Sequence, residues 1–370
     1  MEVHLICLLP GPLFILPLTC CRFYFLSKMP SRPNRQKRKS LAVDDAVNKK
    51  APKPDCSFRA LNEQYEHKLK AIERAFYLHC SEDFLKFYEF CRQLSPTSPL
   101  DCLHDVLGLR LVGPYELLHS SCLDSQETGK FSQCYRFFHD PPELVTVMVG
   151  ENHYHLGYFR DKPGDRPSLI VSSEPMQTGS LTILGTDLFS VVRSLLMRDA
   201  PSSVILSKLN EFTNSHGIKL NPLTGAAKAG RKGRVCLTLN GVGLVIDLAE
   251  GGVGYRPLAV SYGKLKSDLQ AVVAAPNEDV RLSKMEAIDE LVTYAQFACD
   301  EGDYGQSLDL GLSLLAFHPQ KLPIEKASVL NKSIQQLLTV GYDLAKRSEF
   351  AEVARRHMEN RVISPMKLEF

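Results

Sequence analysis

The last third of the chain shows helical periodicity that is broken by a cluster of carboxylates. Apolar residues at helical spacing predict four helices, over residues 277–300, 305–317, 324–346 and 349–361. Between the first two lies Cys299-Asp300-Glu301-Gly302-Asp303-Tyr304-Gly305, with three carboxylates in four residues and no Lys or Arg between Lys284 and Lys321. The sequence therefore predicts a helical layer with an acidic turn. That turn is either solvated or a place where a carboxylate does chemistry.

The first part of the folded body alternates between helical and β patterns. Residues 61–94 have apolar residues at helical spacing in two segments, and Ser81-Glu82-Asp83 is a predicted capped start for the second. Short β-rich runs follow and predict an antiparallel sheet, because Pro- and Gly-containing turns separate them. These runs are residues 107–112, 134–139, 145–149, 154–160 and 168–171. Further helices are predicted over 189–196 and 204–216.

The Asn240-Gly241 dipeptide lies between two β-rich runs and is a strong signal for a β-hairpin. Together the patterns predict an α+β protein, with an amino-terminal antiparallel sheet and flanking helices followed by a mainly helical carboxy-terminal domain that contains the hairpin. We expect three parts: residues 1–54 as an apolar extension and a disordered basic arm, residues 55–200 as the α+β domain, and residues 201–370 as the mainly helical domain.

Charge is distributed unevenly along the chain. Between Lys28 and Lys53 there are nine Lys or Arg and two Asp, whereas the residues from Asp55 onward hold 34 basic and 39 acidic residues, a net charge of −5. The basic arm is Pro-rich and almost free of aromatic residues, so we expect it not to fold. Lys37-Arg38-Lys39 with Lys49-Lys50 fits a two-part nuclear import signal. The same charges suit contact with nucleic-acid phosphates, or serve only as a solubilising tail.

The apolar stretch over residues 5–26 could be read as a signal peptide or a membrane anchor, but it lacks features of both. No Lys or Arg precedes the apolar stretch, and Pro10, Pro12 and Pro17 interrupt a spanning helix. Because Met29 opens a sequence that suits an amino terminus, we interpret residues 1–28 as an upstream extension and expect no membrane partner. The eleven cysteines are odd in number and contain no C-x-x-C pair, which argues against a disulfide framework.

Motifs for independent chemistry are missing from the sequence. The glycines around Gly241 do not complete G-x-G-x-x-G, and neither G-K-[ST] nor G-x-S-x-G occurs. His139, His153 and His155 are candidate metal ligands. His153 and His155 form an H-x-H, which on a strand points both rings to one face. No carboxylate or Cys lies at ligand-like spacing from them, so a zinc site is disfavoured. We expect no cofactor of the protein's own.

Two interpretations of the acidic turn remain open from the residues alone. In the first it is a plain turn in a helical hairpin of the tetratricopeptide kind, although residues 347–351 offer only a partial echo of a repeat. In the second, Asp300 and Glu301 are functional. Neighbouring residues at a helix end point about 100° apart, so one carboxylate can be held by a cation while the other faces a cleft. We expect the buried Tyr255-Arg256 segment to supply that cation, with Arg256 near Asp300.

Several motifs resemble those of the histone PARylation factor family, and they occur in order over residues 55–361. The motifs are Leu107-Gly-Leu-Arg-Leu-Val-Gly-Pro-Tyr115, Phe137-Phe-His-Asp-Pro-Pro-Glu143, His155-Leu-Gly-Tyr-Phe-Arg-Asp161, Val253-Gly-Tyr-Arg256 and Phe297-Ala-Cys-Asp-Glu-Gly-Asp-Tyr-Gly305. The resemblance implies a nuclear, chromosome-associated accessory factor. Such a factor is no enzyme alone. It docks on the catalytic domain of DNA-damage-activated poly(ADP-ribose) polymerases, which bind the NAD, and completes a joint active site for serine ADP-ribosylation of histones.

The resemblance also implies roles for particular residues. The family's essential glutamate falls on Glu301, its neighbouring aspartate on Asp300, and its interface Tyr-Arg pair on Tyr255 and Arg256. The chain departs from the family pattern in two places. Gly302 stands where a larger residue is expected, and Pro257 where a charged one is usual.

Two other classes of function stay open at this point. One is a non-catalytic helical scaffold that binds a nuclear partner. The other is a free-standing hydrolase that uses Asp300 and Glu301, which is poorer because adjacent carboxylates cannot flank a scissile bond from opposite sides. The sequence carries no signal for self-association. We therefore expect a monomer that forms a transient heterodimer with the polymerase.

Overall fold

The computed structural model of the protein describes residues 56–120, 129–221, 231 and 233–368. These residues form an α+β fold with one five-stranded and one two-stranded sheet, which confirms the predicted fold class. Pro54–Phe370 form one compact unit, and the division at residue 200 stays a prediction. The apolar extension and the basic arm with its import signal lie outside the described residues.

The described residues form eleven α-helices and seven strands. The helices are α1 (Cys56–Phe76), α2 (Glu82–Leu94), α3 (His104–Leu107), α4 (Pro114–His119), α5 (Leu188–Asp199), α6 (Val204–Ser215), α7 (Tyr262–Val273), α8 (Glu278–Asp300), α9 (Gly305–Leu315), α10 (Asn331–Leu344) and α11 (Ser348–Glu359). The strands are β1 (Arg110–Leu111), β2 (Leu144–Val149), β3 (His155–Phe159), β4 (Leu169–Ser173), β5 (Leu181–Gly185), β6 (Arg234–Cys236) and β7 (Leu244–Val245). Among these helices none is long and apolar enough to cross a membrane.

The larger sheet is an antiparallel meander in the order β1-β2-β3-β4-β5. Its first four strands correspond to predicted β-rich runs, whereas β5 was not predicted. The strand predicted over residues 134–139 is wrong, because this segment is a turn that the Arg136 side chain holds together. The Arg136 guanidinium donates hydrogen bonds to the carbonyls of Ser132, Pro141 and Leu144 at 3.0, 2.8 and 3.0 Å.

The predicted hairpin exists, with shorter strands and a wider turn than the sequence indicated. β6 and β7 pair antiparallel, Arg234 opposite Val245 and Cys236 opposite Leu244. The turn between them is organised by the Asn240 side chain. Its amide oxygen accepts hydrogen bonds from the backbone N–H groups of Val242 and Gly243 at 2.9 and 3.1 Å. The asparagine therefore sets the turn through its side chain as well as through its backbone.

Two large hydrophobic cores carry the fold. The first packs α1, α2, α5 and α6 with the sheet, and its aromatic rings interlock. Phe84 stacks on Tyr115 at 4.3 Å between ring centroids, and Phe87 meets Phe189 edge-on at 5.3 Å. The aromatic residues at helical spacing within residues 61–94 therefore lie in the core. α6 contributes Phe212 to this first core although it follows the predicted boundary at residue 200.

The second core lies among α7 to α11 and includes the buried side chains of α9. The sequence did not predict α7, and residues 324–330, predicted as α-helix, form a 3₁₀ helix before α10. Buried polar contacts join this helical layer to the sheet half. The Tyr342 hydroxyl donates to Glu143 Oε1 at 2.7 Å, and the Arg361 Nε donates to the Phe138 carbonyl at 2.8 Å. These contacts fix the layer that carries the acidic turn against the sheet.

Candidate interaction site at the acidic turn

The acidic turn is a well-formed helix end. α8 stops at Asp300 and Glu301 is its C-cap, after which the Gly302 N–H bonds to the Cys299 carbonyl at 3.0 Å and the Asp303 N–H to the Ala298 carbonyl at 2.7 Å. This pair of bonds is the Schellman motif, in which the residue after the C-cap, here Gly302, adopts a left-handed conformation. Gly302 has φ +93°, and a Cβ there would lie 3.1 Å from Val253 Cγ1. The departure from the family pattern at Gly302 thus suits the local backbone.

The loop before α7 is tied to this helix end by its backbone. The Gly254 N–H donates to Asp303 Oδ1 at 2.9 Å, and the Gly305 N–H donates to the Gly254 carbonyl at 2.8 Å. One residue further on, Gln306 Nε2 donates to the Pro257 carbonyl at 2.7 Å. These bonds bring residues that are about fifty positions apart in the chain into one site.

Tyr255 is anchored beneath the loop through its hydroxyl. It donates to Asp309 Oδ2 at 3.1 Å, and the Tyr262 hydroxyl donates to Asp309 Oδ1 at 2.9 Å. Asp309 is a residue of α9 and is fully buried. Burial raises the pKa of the Asp309 carboxyl, and the hydrogen bonds from Tyr262 and Tyr255 oppose that rise. Burial and the nearby Asp309 carboxylate also raise the pKa of Tyr255. The phenol is therefore a neutral donor that fixes where the next residue, Arg256, begins.

Arg256 reaches back over the acidic turn. Its Nη2 forms ion pairs with Glu301 Oε2 and, at 3.0 Å, with Asp303 Oδ2. The hydrogen bond and charge of Glu301 raise the pKa of Arg256 further above its usual range. Within the described residues Glu301 Oε1 has no hydrogen-bond partner, so one oxygen of this exposed carboxylate is held while the other faces solvent.

Two details of the predicted arrangement are wrong. Arg256 contacts Glu301 and Asp303 rather than Asp300, which is exposed and forms no ion pair in the part of the chain described here. The Tyr255-Arg256 segment is also not buried as a unit, since Tyr255 is half-buried and the Arg256 side chain is 48% exposed. The reason is that the loop turns its two neighbouring side chains to opposite sides, one to the core and one to the surface.

An apolar surface accompanies the charged turn. Phe297, one helical turn before Glu301, is 57% exposed, and Tyr294 and Val253 are also large exposed apolar residues. Exposed aromatic residues beside a charged cluster are typical of a protein-binding surface. Sequence reasoning used Phe297 only as part of a motif. Its exposure was detectable from helical spacing, because Ala298, Ala295 and Leu291 occupy the buried face.

The histidines singled out in the sequence do not come together. His155 lies buried on β3 and bonds to Asp140 Oδ1 at 2.9 Å, whereas His153 lies in a 3₁₀ turn before the strand. The assumption that both stand on one strand is wrong. His139 contacts the Leu315 carbonyl and His318 instead. The described residues contain no group of three His, Cys, Asp or Glu side chains arranged to hold a metal ion.

The fold and this site define a class of α+β protein with an exposed carboxylate–arginine cluster at the end of a long helix. The family model of histone PARylation factor 1 matches residues 66–361. Curated relatives called histone PARylation factor 1 are 34% identical in Bos taurus and in Mus musculus, over 306 residues that make up 79% of this chain and 86% of each relative. The relative of that name in Danio rerio is 32% identical over 80% of this chain and 86% of its own length.

These matches place the chain in a family. It belongs to the histone PARylation factor family, as its sequence motifs indicated. A human protein called putative histone PARylation factor 1-like is also similar, at 31% identity over 79% of this chain.

Proposed function

We propose that this protein is an accessory factor that binds the catalytic domain of a DNA-damage-activated poly(ADP-ribose) polymerase and supplies Glu301 to a joint active site. The observation that carries this proposal is the position of Glu301. It lies exposed at the end of α8, held through one carboxylate oxygen by Arg256, with the other oxygen open to solvent. Membership of the histone PARylation factor family supports the same assignment.

Transfer of ADP-ribose to a serine hydroxyl needs a general base, whereas transfer to an Asp or Glu side chain does not. The oxygen of a serine hydroxyl attacks the anomeric carbon of the NAD ribose bound by the polymerase, the bond from that carbon to nicotinamide breaks, and neutral nicotinamide leaves. The serine proton passes to the Glu301 carboxylate, which acts as a general base. A carboxylate acceptor is already ionised and needs no such base. Adding Glu301 therefore shifts the choice of acceptor from Asp and Glu to Ser on histones.

The surface around Glu301 suits a protein partner. Tyr255 and Arg256 are the proposed partner-binding residues, in which Tyr255 acts through its anchor on Asp309 and Arg256 through its exposed guanidinium. Asp300, exposed beside Glu301, is proposed to take part in the joint site. The exposed Phe297 extends this surface as an apolar contact.

The remaining assignments follow from the same proposal. The protein holds no cofactor of its own, and NAD is bound by the polymerase. It acts in the nucleus on chromosomes, as a monomer that forms a transient heterodimer. The basic arm before residue 54 favours chromatin through phosphate contacts.

The test is ADP-ribosylation of a histone peptide by a damage-activated polymerase, read as hydroxylamine-resistant serine linkage. With Glu301→Gln we expect the serine product to fall by about 10²–10⁴-fold, the usual contribution of a general base. The affinity for the polymerase catalytic domain, measured separately, should stay within about twofold of the wild type. Glu286→Gln, an exposed change on the same helix, is the matched control and should leave both quantities unchanged.

The outcome separates this proposal from its competitors. Unchanged serine modification with Glu301→Gln, despite demonstrated binding, would reduce the protein to a non-catalytic helical scaffold. Product formed from NAD by this protein without any polymerase would make it an enzyme in its own right.

A further inference from the structure

A second concave region of the protein shares no residue with the acidic turn. It is a cavity of about 540 Å³ between the loop before β5, the helix α7 and the segment that follows α9. Thr178 and Ser180 come from the loop, Lys266 and Gln270 from α7, and His318 from the segment after α9. This volume lies within the range of sites that bind small molecules.

The walls of the cavity are fixed by close packing and reciprocal hydrogen bonds. A Cβ on Gly179 would lie 1.8 Å from the Ala316 carbonyl oxygen, so the loop and the end of α9 touch through their backbones. On the opposite side Gln270 Nε2 donates to the Gln320 carbonyl at 3.3 Å, and the Gln320 N–H donates to Gln270 Oε1 at 2.8 Å. A ligand therefore meets a site that is formed before it binds.

The polar groups of the cavity favour an anion. Of the described residues that line it, none is acidic, and they supply hydroxyl, amide, imidazole and ammonium groups. No ion pair occurs for Lys266 within the described part of the chain. By contrast Lys264, two residues earlier on the same helix, forms an ion pair with Asp268. One cation at the rim of the cavity thus lacks a protein counter-charge.

The hydrogen bond between His139 and His318 determines which ring nitrogen of His318 carries a proton. His139 Nδ1 lies 2.9 Å from the Leu315 carbonyl oxygen, which can only accept, so this nitrogen carries the proton. Burial and the Arg361 guanidinium lower the pKa of His139 to about 3, so the ring is neutral and its Nε2 is an acceptor. His318 Nδ1, at 3.2 Å from that Nε2, must then be the donor. His318 Nε2 is left as the nitrogen that gains or loses a proton.

His318 can therefore become charged without losing its bond to His139. Burial lowers the pKa of His318, so the ring is mainly neutral above pH 7 in the empty protein. His139 lies on the buried side of the ring, with Arg361 and His357 close to it, and Lys266 lies across the cavity. An anion in the cavity would favour protonation of His318 Nε2 and gain a second cation beside Lys266.

We propose that this cavity binds the phosphate group of a small phosphate monoester. No arginine lines it, so the planar fork that suits a carboxylate is missing, whereas a lysine ammonium and an imidazole approach a tetrahedral oxyanion from separate directions. Leu239 and Phe317 also line the cavity and offer apolar surface to the organic part of the ester.

The first measurement uses sulfate, a tetrahedral dianion that does not titrate near neutral pH. Sulfate and then phenyl phosphate are titrated into the full chain, and the imidazole nitrogens are followed by nuclear magnetic resonance, with His318→Gln used to assign the signal. We expect saturable binding that shifts His318 Nε2 toward its protonated form. Affinity for sulfate should rise as the pH is lowered from 8 to 6, because the bound form takes up a proton. Phenyl phosphate should bind more tightly than sulfate at one pH.

Variants with a matched control decide the outcome. Lys266→Ala changes an exposed side chain that the fold does not need, and should weaken sulfate binding on the order of tenfold, as expected for the loss of one charge-assisted hydrogen bond. Lys264→Ala removes a neighbouring cation outside the cavity and should have no such effect. Absence of saturable binding, or equal effects of the two lysine variants, would overturn the proposal. Serine modification does not enter this test, so its result is independent of the proposed function.

Discussion

Arg361 and Arg256 have the same side chain in opposite surroundings. Arg361 is buried and donates to the carbonyls of Phe138 and Leu315 at 2.8 Å, with its guanidinium 3.8 Å from the centre of the Phe138 ring. Arg256 is exposed and pairs with the carboxylates of Glu301 and Asp303. The buried arginine satisfies groups that have no access to water, whereas the exposed one competes with water for its partners. We conclude that the first holds the fold and the second is free to exchange partners.

The largest loss of stability is expected for the buried arginine, Arg361. Arg361→Met leaves the Phe138 carbonyl and the Asn331 side chain without their buried donor, and should lower the free energy of unfolding by about 3 kcal/mol. Urea denaturation followed by circular dichroism measures this loss. Arg355→Met, which removes an exposed partner of Glu352, is the control. Similar losses for the two variants would show that burial does not distinguish the arginines.

Low pH should lower the free energy of unfolding through His139, which is buried close to Arg361. The pKa of His139 is about 3 in the folded protein, because of burial and the Arg361 guanidinium, against an ordinary value of 6.5. Between these values the unfolded state binds more protons, so stability falls as the pH is lowered below 6.5, by about 1.4 kcal/mol per pH unit from this group. His139→Phe should flatten the dependence of the free energy of unfolding on pH. The exposed His67→Gln should not, and equal slopes in all three proteins would contradict the assignment.

A smaller loss of stability is expected at Tyr255, whose burial lies between that of Arg361 and that of Arg256. Tyr255→Phe removes one hydroxyl from the buried Asp309 carboxylate, which keeps Tyr262 as a donor, so about 1 kcal/mol of stability should be lost. Serine modification should fall as well, because Arg256 loses the anchor of its neighbour. Ser98→Ala removes an exposed hydroxyl that bonds to Asp101, outside the surface around the acidic turn, and serves as the control. Unchanged serine modification with Tyr255→Phe would show that the hydrogen bond from Tyr255 to Asp309 is not needed for this function.

The smallest effect on stability is expected for Arg256→Ala. Its ion pair with Glu301 is exposed to solvent, and Asp303, whose side chain is only 14% exposed, keeps the Gly254 N–H as a donor, so the midpoint of urea denaturation should barely move. Affinity for the polymerase catalytic domain, measured by isothermal titration calorimetry, should nevertheless decrease. If the midpoint fell as it does for Arg361→Met, Arg256 would be part of the fold rather than of a partner surface.

The predictions that failed show where local pattern is insufficient. The aromatic-rich run over 134–139 has strand composition, yet the side chain of Arg136 organises it as a turn through carbonyls that are up to eight residues away. α7 was missed although Leu265, Leu269 and Val272 have helical spacing and Ser261 caps the helix by accepting from the Lys264 N–H. This helix therefore does have a local signal in its sequence.

The sequence by itself determined the α+β class, most helices, the hairpin and the family, because hydrophobic period, turn residues and motifs are local properties of the chain. It also placed Glu301 at a helix end. Only the tertiary structure decided which carboxylates Arg256 holds, since the pairing spans 45 positions and depends on the backbone bonds of Gly254. The anchoring of Tyr255 on Asp309 and the meeting of His139 with His318 are likewise long-range contacts. Such contacts follow from how helices pack, which no single stretch of sequence encodes.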